Sequence, residues 1–382
     1  MCANRAERVS VLHVITGLGT GGTERMLQKL LRVRHPSVVQ TVVQLQSGGS
    51  IATEIRGDGV EVVDLSMRRS VGAIYQAGQL VRLARRVRPD IIQTWLYHAD
   101  VAGAIAGRLL SLPVVWNIRG SDNPGIRRPI VRICAALSRI PALVIANSEA
   151  GRLAHERVGY RAREWRVVPN GFDTKVFVRD ASAKAAVRRE LGIPADAKIV
   201  GMIARADPLK DHRMFFDAVR LALAVIPGIY VVLVGEGMDT SSQLAVTYNM
   251  DESMRGRIFS LGRRDDIARL TAAFDVACLA SLSEGFPNVI GEAMACEVPC
   301  VVTDTGAARE IVGDTGIVVR TGDATAFADG IVRSLQRSAP EQRALGERAR
   351  RRIVNNFSIE SVSESYIKLY SAVIKGNCTC VE

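Results

Sequence analysis

Ser283–Glu292 reads S-E-G-F-P-N-V-I-G-E and sets two carboxylates, Glu284 and Glu292, on either side of an expected helix start. Pro287 suits the first helical position, because its φ is already helical and its missing N–H would have no intrahelical partner there. The N–H groups of Asn288 and Val289 would then point outward with the positive end of the helix dipole, which suits a phosphate. Two carboxylates this close could instead serve as acid and base of a glycoside hydrolase, or be solvated glutamates beside an ordinary helix. The apolar run Val276–Leu279 reads as a buried strand just upstream. The stretch would therefore leave a strand's carboxyl end, where open α/β sheets bind their ligands.

Two more stretches occupy the same kind of position. Gly17-Leu-Gly-Thr-Gly-Gly22 follows the strand Val9–Ile15 and fits G-x-G-x-x-G at Gly17, Gly19 and Gly22. An NAD-dependent oxidoreductase would also want a carboxylate closing the second strand, whereas that strand ends Gln44-Leu45-Gln46. What remains is a loop whose backbone a ligand can approach closely, followed by Glu24 in the first helical turn. Arg205-Ala-Asp-Pro-Leu-Lys210 follows the strand Ile199–Ile203. A planar fork and a mobile point charge at a sheet edge suit a diphosphate better than either cation alone.

The elements that must hold these residues alternate strand and helix. Val9–Ile15, Val38–Leu45, Val60–Leu65, Ile91–Trp95, Val114–Ile118 and Leu143–Ala146 read as strands, with helices at Thr23–Val33, capped by Thr23, and at Ala73–Val87. The rhythm breaks at Pro169-Asn170-Gly171 and a charged helix, Ala183–Leu191, follows. It then restarts with strands at Ile199–Ile203, Tyr230–Val234, Ile258–Leu261, Val276–Leu279, Val301–Thr303 and Ile317–Val319, and a long helix at Asp211–Val225. Beyond Thr321 the chain reads as helix almost to its end, closing with Phe357–Ile374. Strands at this spacing imply right-handed βαβ units. The expected fold class is therefore α/β, two Rossmann-like, doubly wound parallel-sheet domains over residues 1–172 and 173–356.

The 382 residues, 48% hydrophobic and 23% charged, can build two sizeable cores. Met1–Ser10 lacks the apolar core of a signal peptide, and the apolar stretches near Ile130–Ala146 and Leu221–Val234 are interrupted too often to span a membrane. Seven cysteines without paired spacing, Cys296, Cys300, Cys378 and Cys380 among them, and five scattered histidines fit reduced thiols in a cytoplasmic protein. Residues 1–175 carry 25 Lys and Arg against 13 Asp and Glu, and the remainder 25 against 26. So basic a half expects a polyanionic surface, either nucleic acid or anionic lipid. No aromatic–basic stripe or recognition motif supports nucleic acid. The segment 124–140, with Arg127, Arg128, Arg132 and Arg139 among apolar residues, could lie as a helix on an anionic leaflet, or equally face the core with a solvated basic edge.

Taken in order, Gly21-Gly22 with Glu24, Pro169-Asn170-Gly171 with Asp173, Arg205 with Lys210, Val234-Gly235-Glu236-Gly237, and Glu284-Gly-Phe-Pro-Asn with Glu292 resemble the retaining glycosyltransferases of family 4, which have the GT-B fold. The resemblance covers nearly the whole chain. It implies two domains facing a cleft, a nucleotide sugar held mainly by the second, and a final helix that packs back on the first. It also implies transfer with retained anomeric configuration from a UDP- or GDP-sugar to a saccharide or lipid-linked acceptor, without an obligatory metal or other cofactor. A sugar-nucleotide epimerase shares that plan but leaves the basic half unexplained. By the resemblance Arg205 and Lys210 bind the diphosphate, Glu292 the ribose and Glu284 the transferred sugar. The amides of Phe286 and Asn288, on either side of Pro287, help hold sugar and phosphate. Gly21 and Gly22 line the cleft from the other domain, with Glu24 and Asn170 toward the acceptor. Many relatives place a histidine where Trp116-Asn117-Ile118-Arg119-Gly120 has Arg119. His98, in Trp95-Leu96-Tyr97-His98-Ala99-Asp100, and Arg119 are therefore both expected candidates to assist catalysis.

Overall fold

The computed structural model of the chain describes residues 8–66, 73–120, 129–238, 254 and 256–376, with residues 73–77 described by their backbone alone. The chain divides into two compact units, Met1–Gly171 together with Ile359–Glu382, and Phe172–Ser358.

Unit one is built on seven parallel strands: β1 Val9–Ile15, β2 Val38–Gln44, β3 Glu61–Asp64, β4 Ile91–Trp95, β5 Val114–Ile118, β6 Leu143–Ala146 and β7 Trp165–Val167. Their order is β3-β2-β1-β4-β5-β6-β7. Unit two has six more: β8 Lys198–Ile203, β9 Ile229–Val234, β10 Ile258–Ser260, β11 Val276–Leu279, β12 Cys300–Thr303 and β13 Ile317–Val319, in the order β10-β9-β8-β11-β12-β13. Both sheets therefore reverse direction beside their first strand, between β1 and β4 in one and between β8 and β11 in the other. Those are the switch points at which a doubly wound sheet opens a crevice. The residues singled out from the sequence leave the sheets there: Gly17–Gly22 follows β1, His98 follows β4, Arg205–Lys210 follows β8, and Ser283–Glu292 follows β11.

Local chemistry explains the helix starts and corrects two of them. Helix α1, Gly22–Arg32, is capped by Gly21 with no side-chain hydrogen bond, so Thr23 is inside the helix and does not cap it. A Cβ on Gly21 would lie 2.5 Å from Glu24 Oε2, so the Glu24 carboxylate takes the space a capping side chain would need. The helix after β11 spans Asn288–Ala295, with Pro287 as its cap and not its first residue. Asp211 caps the helix His212–Val225 by accepting from Met214 N. Asp180 likewise caps Ala181–Leu191 through Ser182 N and Ala183 N.

The final helix also starts later than expected. Phe357 ends the preceding helix, Ala339–Phe357, and Ser358 is extended, bridging Phe172 within unit two. Helix Ile359–Ile374 then presents one helical face, Ile359, Val362, Tyr366, Leu369, Tyr370 and Val373, to the unit-one core of Leu27, Leu30, Trp95 and Val168. Four described cysteines, Cys134, Cys278, Cys296 and Cys300, are buried free thiols. Arg127, Arg128, Cys378 and Cys380 lie outside the described residues. Of the basic segment, helix Pro129–Leu137 buries Val131 and Cys134 and exposes Arg132 and Ile133.

Candidate active site

In unit two the carboxyl edge of the sheet gathers a charged group. Lys210 Nζ lies 2.5 Å from Glu284 Oε1, and Ser281 Oγ donates to the same oxygen at 2.6 Å. Both charged side chains are well sheltered, at 21% and 12% exposure, so this pair is screened far less than a surface pair. Backbone and hydroxyl bonds hold the two loops together. Leu282 N donates to Leu209 O at 2.8 Å, and Thr303 Oγ1 to Ser281 O at 2.6 Å. Glu284 N donates to Thr305 Oγ1 at 3.1 Å, and Ala307 N to Gly285 O at 3.1 Å.

Gly306 completes this floor. Its φ is +54°, and a Cβ there would stand 2.4 Å from the carbonyl oxygen of Glu284, so both the left-handed backbone and the close approach require glycine. Ser281, Thr305 and Gly306 go unnoticed in the sequence reading. The available signal is their position: Ser281 follows β11 and Asp304-Thr305-Gly306 follows β12, at the same sheet edge as the others.

Arg205 stands apart from that pair. Its guanidinium binds Asp207 Oδ2 through Nε at 3.0 Å and Nη2 at 2.7 Å, and its side chain is 65% exposed. Phe286 divides in two. Its ring is buried at 6.0 Å from that of Phe172 and 6.2 Å from that of Phe357, leaving only its backbone for a ligand. Pro287 is buried beside it, while Asn288 and Glu292 are half-buried on the following helix. His212 is buried behind Lys210, its imidazole pushed down to about 4 by burial and then by the lysine's charge. Arg350 closes the far end of the helix Asn288–Ala295 by donating to Ala295 O, and it also binds Phe177 O and Thr174 O at 2.9 Å each. A cation at a helix carboxyl end offsets the dipole whose positive end lies at Asn288.

In unit one the structure brings Arg119 and Asn170 together. The Arg119 guanidinium donates to Asn170 Oδ1 and to the Tyr366 hydroxyl, and stacks 5.1 Å from the centre of the Trp95 ring. Asn117 Nδ2 reaches the same hydroxyl at 2.9 Å. Arg119 thus braces the Asn170 turn, β5 and the final helix. His98 is exposed on the first turn of the helix Tyr97–Leu110. Gly21 and Gly22 are exposed, and Glu24, folded over Gly21, has its carboxyl pKa raised by burial.

A cavity of about 640 Å³ lies elsewhere in unit two, among Lys184, Asp275, Cys296 and Pro340. It sits at the amino-terminal side of β11 and β12, the wrong edge for a doubly wound sheet to bind its ligand. Its buried carboxylate, Asp275, is already held by Lys184 at 2.6 Å and Arg188 at 3.0 Å. The carboxyl edge is the better site. Among the described residues no three His, Cys, Asp or Glu side chains gather to hold a metal.

Two parallel doubly wound sheets, each carrying polar residues at its switch point, define a GT-B architecture, and comparison with known proteins agrees. Residues 20–176 match the model of Glycosyltransferase Family 4, and residues 197–337 that of Glycosyl transferases group 1. N-acetyl-alpha-D-glucosaminyl L-malate synthase of Bacillus anthracis is 31% identical over 316 residues, 78% of this chain and 79% of that protein. The UDP-Gal:alpha-D-GlcNAc-diphosphoundecaprenol alpha-1,3-galactosyltransferase of Escherichia coli is 26% identical over 305 residues, 76% of this chain and 78% of that one. The crystal structure of HepE from Anabaena in complex with UDP superposes with a TM-score of 0.83 at 25% identity, covering 95% of this chain and all of the other. The chain belongs to the group 1 glycosyltransferases, glycosyltransferase family 4, and is a glycosyltransferase.

Proposed function

We propose that this enzyme takes its sugar from a nucleoside diphosphate sugar and passes it, with retained anomeric configuration, to a lipid-linked saccharide or growing polysaccharide. The observation that carries the reading is the Lys210–Glu284–Ser281 cluster at the second switch point, beside the start of the helix Asn288–Ala295. The cation at this edge suits the leaving diphosphate, with Arg205 as its second support. Glu284 then meets the transferred sugar and Glu292 the ribose, while the Phe286 and Asn288 amides face sugar and phosphate. A hydrolase using Glu284 and Glu292 as acid and base is the poorer fit, since Glu284 is already engaged by a lysine.

In unit one, Glu24 and Asn170 belong to the acceptor side, while Gly21 and Gly22 let the donor's phosphate approach the backbone. Arg119 is occupied in bracing Asn170 and Tyr366, which leaves the exposed His98 as the better placed base. The Escherichia coli relative is named for UDP-Gal and a diphosphoundecaprenol acceptor, and HepE was solved with UDP, which supports both halves of the reading.

A thermal-shift series with UDP, GDP, NAD and single-stranded DNA tests the donor class. Saturation at 100 times Kd stabilises a protein by about 2.7 kcal/mol, so UDP or GDP should raise the midpoint clearly. A response to NAD alone would sink the transferase chemistry proposed for this site.

No helix among the described residues is long and apolar enough to cross a membrane. We propose peripheral attachment to the inner membrane face, which the basic first half and the exposed Arg132 and Ile133 support. The protein should co-sediment with anionic vesicles at low salt, and recovery entirely in the supernatant would overturn that attachment.

A further inference from the structure

The segment Arg205–Lys210 carries two cations, and its carboxylate connects them. Asp207 Oδ2 receives Nε and Nη2 of Arg205, while Oδ1 receives Leu209 N at 2.9 Å and so caps the turn Pro208–Lys210. The Leu209 amide, then Arg205, hold the Asp207 carboxyl below the usual carboxylate range. One side chain thus orients the guanidinium and begins the turn that ends in Lys210.

We propose that Asp207 is a positioning residue for the phosphate-binding guanidinium of Arg205. This rests on the reading that Arg205 meets the donor's diphosphate. Two of the five guanidinium N–H groups face Asp207, which leaves the Nη1 edge for a phosphate oxygen. At 65% exposure the arginine would otherwise sample many rotamers, and that freedom would be lost on binding. Asp207 restrains it beforehand, and preorganisation of this kind appears as affinity. The competing physical outcome is that Asp207 acts as a counter-anion, in which case removing it would tighten binding.

Titration calorimetry of the full chain with UDP and with GDP separates these outcomes, using whichever nucleotide the native enzyme binds. Asp207→Asn and Asp207→Ser both retain an oxygen for Leu209 N and lose the anionic grip on Arg205. Each should weaken the nucleotide about three- to fivefold, the scale of a well-formed exposed ion pair. In an Arg205→Ala background, Asp207→Asn should change affinity less than about twofold, because the residue acts through Arg205. If Arg205→Ala leaves affinity unchanged, the diphosphate reading itself fails. If Arg205→Ala weakens binding but Asp207→Asn does not, or tightens it, the positioning role alone is overturned. Equal weakening by Asp207→Asn in both backgrounds would also overturn it, by assigning the effect to the turn.

Discussion

Lys210→Ala is expected to lower kcat by roughly 10²- to 10³-fold, the loss typical when one preorganised charge or donor is removed from a developing anion. The native side chain is only 21% exposed and held at 2.5 Å from Glu284, so its charge acts in a sheltered site and needs little reorganisation. Removing it also takes away the cation 2.5 Å from the Glu284 carboxylate, which adds repulsion toward a diphosphate. The effect should therefore appear in kcat and in nucleotide affinity together. Glu284→Ala should instead reduce transfer more than UDP or GDP binding, if Glu284 meets the sugar. Steady-state rates paired with calorimetry measure both. A kcat within tenfold of the native value for Lys210→Ala would remove the lysine from the role proposed for it.

The second large effect concerns pH. His13, on β1, is completely buried between Gln40 at 3.0 Å and Trp95 Nε1 at 3.3 Å, and burial pushes its pKa down to about 4. Its contribution to stability is present above the unfolded value near 6.5 and is lost as pH falls toward 4, about 3 kcal/mol in all. Asp100, also in unit one and buried, accepts from Thr94 Oγ1 and is raised by burial to about 8. A raised acid has the opposite sign: its contribution is full below the unfolded value near 4 and is lost as pH rises to 8. Between pH 4 and 6.5 the two slopes cancel. Above 6.5 only Asp100 still titrates, so these two groups together make stability fall toward pH 8 by about 2 kcal/mol. Asp100→Asn should abolish that decline and uncover the acid-side loss from His13. Denaturant unfolding at pH 4.5, 6.5 and 8 checks it, since His212 in unit two contributes equally to both proteins. Parallel profiles for the native and Asp100→Asn proteins would refute the assignment.

Much of this architecture is legible from the sequence because the strands of a parallel sheet covered by helices read as near-continuous apolar runs. Val9–Ile15, Ile91–Trp95, Val114–Ile118, Leu143–Ala146, Val276–Leu279 and Ile317–Val319 match the observed strands to the residue. Trp165–Val167 is not legible: it has three residues, Arg166 at its centre, and no position fully buried. At Gly21 and Pro287 the expected start is displaced by one or two residues, because caps depend on which group lies within reach and not on residue type alone. The arrangement around Arg119 is of another kind. Its partners Asn170 and Tyr366 lie 51 and 247 residues away in sequence, a distance at which no local pattern operates. The Phe286 ring illustrates the converse, where a motif residue is claimed by a core formed with Phe172 and Phe357.

The division of the chain also orders its assembly in time. Unit two is a single uninterrupted segment whose two ends meet, Phe172 N donating to Phe357 O at 2.8 Å, so it can close as soon as it leaves the ribosome. The first unit begins earlier yet finishes later, because the helix Ile359–Ile374 that completes its core is made after all of unit two. At 5–20 residues per second, roughly 10 to 40 s of synthesis separates its last turn from its final helix. During that interval the apolar surface around Leu27, Leu30 and Trp95 lacks the helix that covers it in the finished protein. Of the two units, the first therefore spends the longer part of synthesis with core surface uncovered, the condition in which chains aggregate.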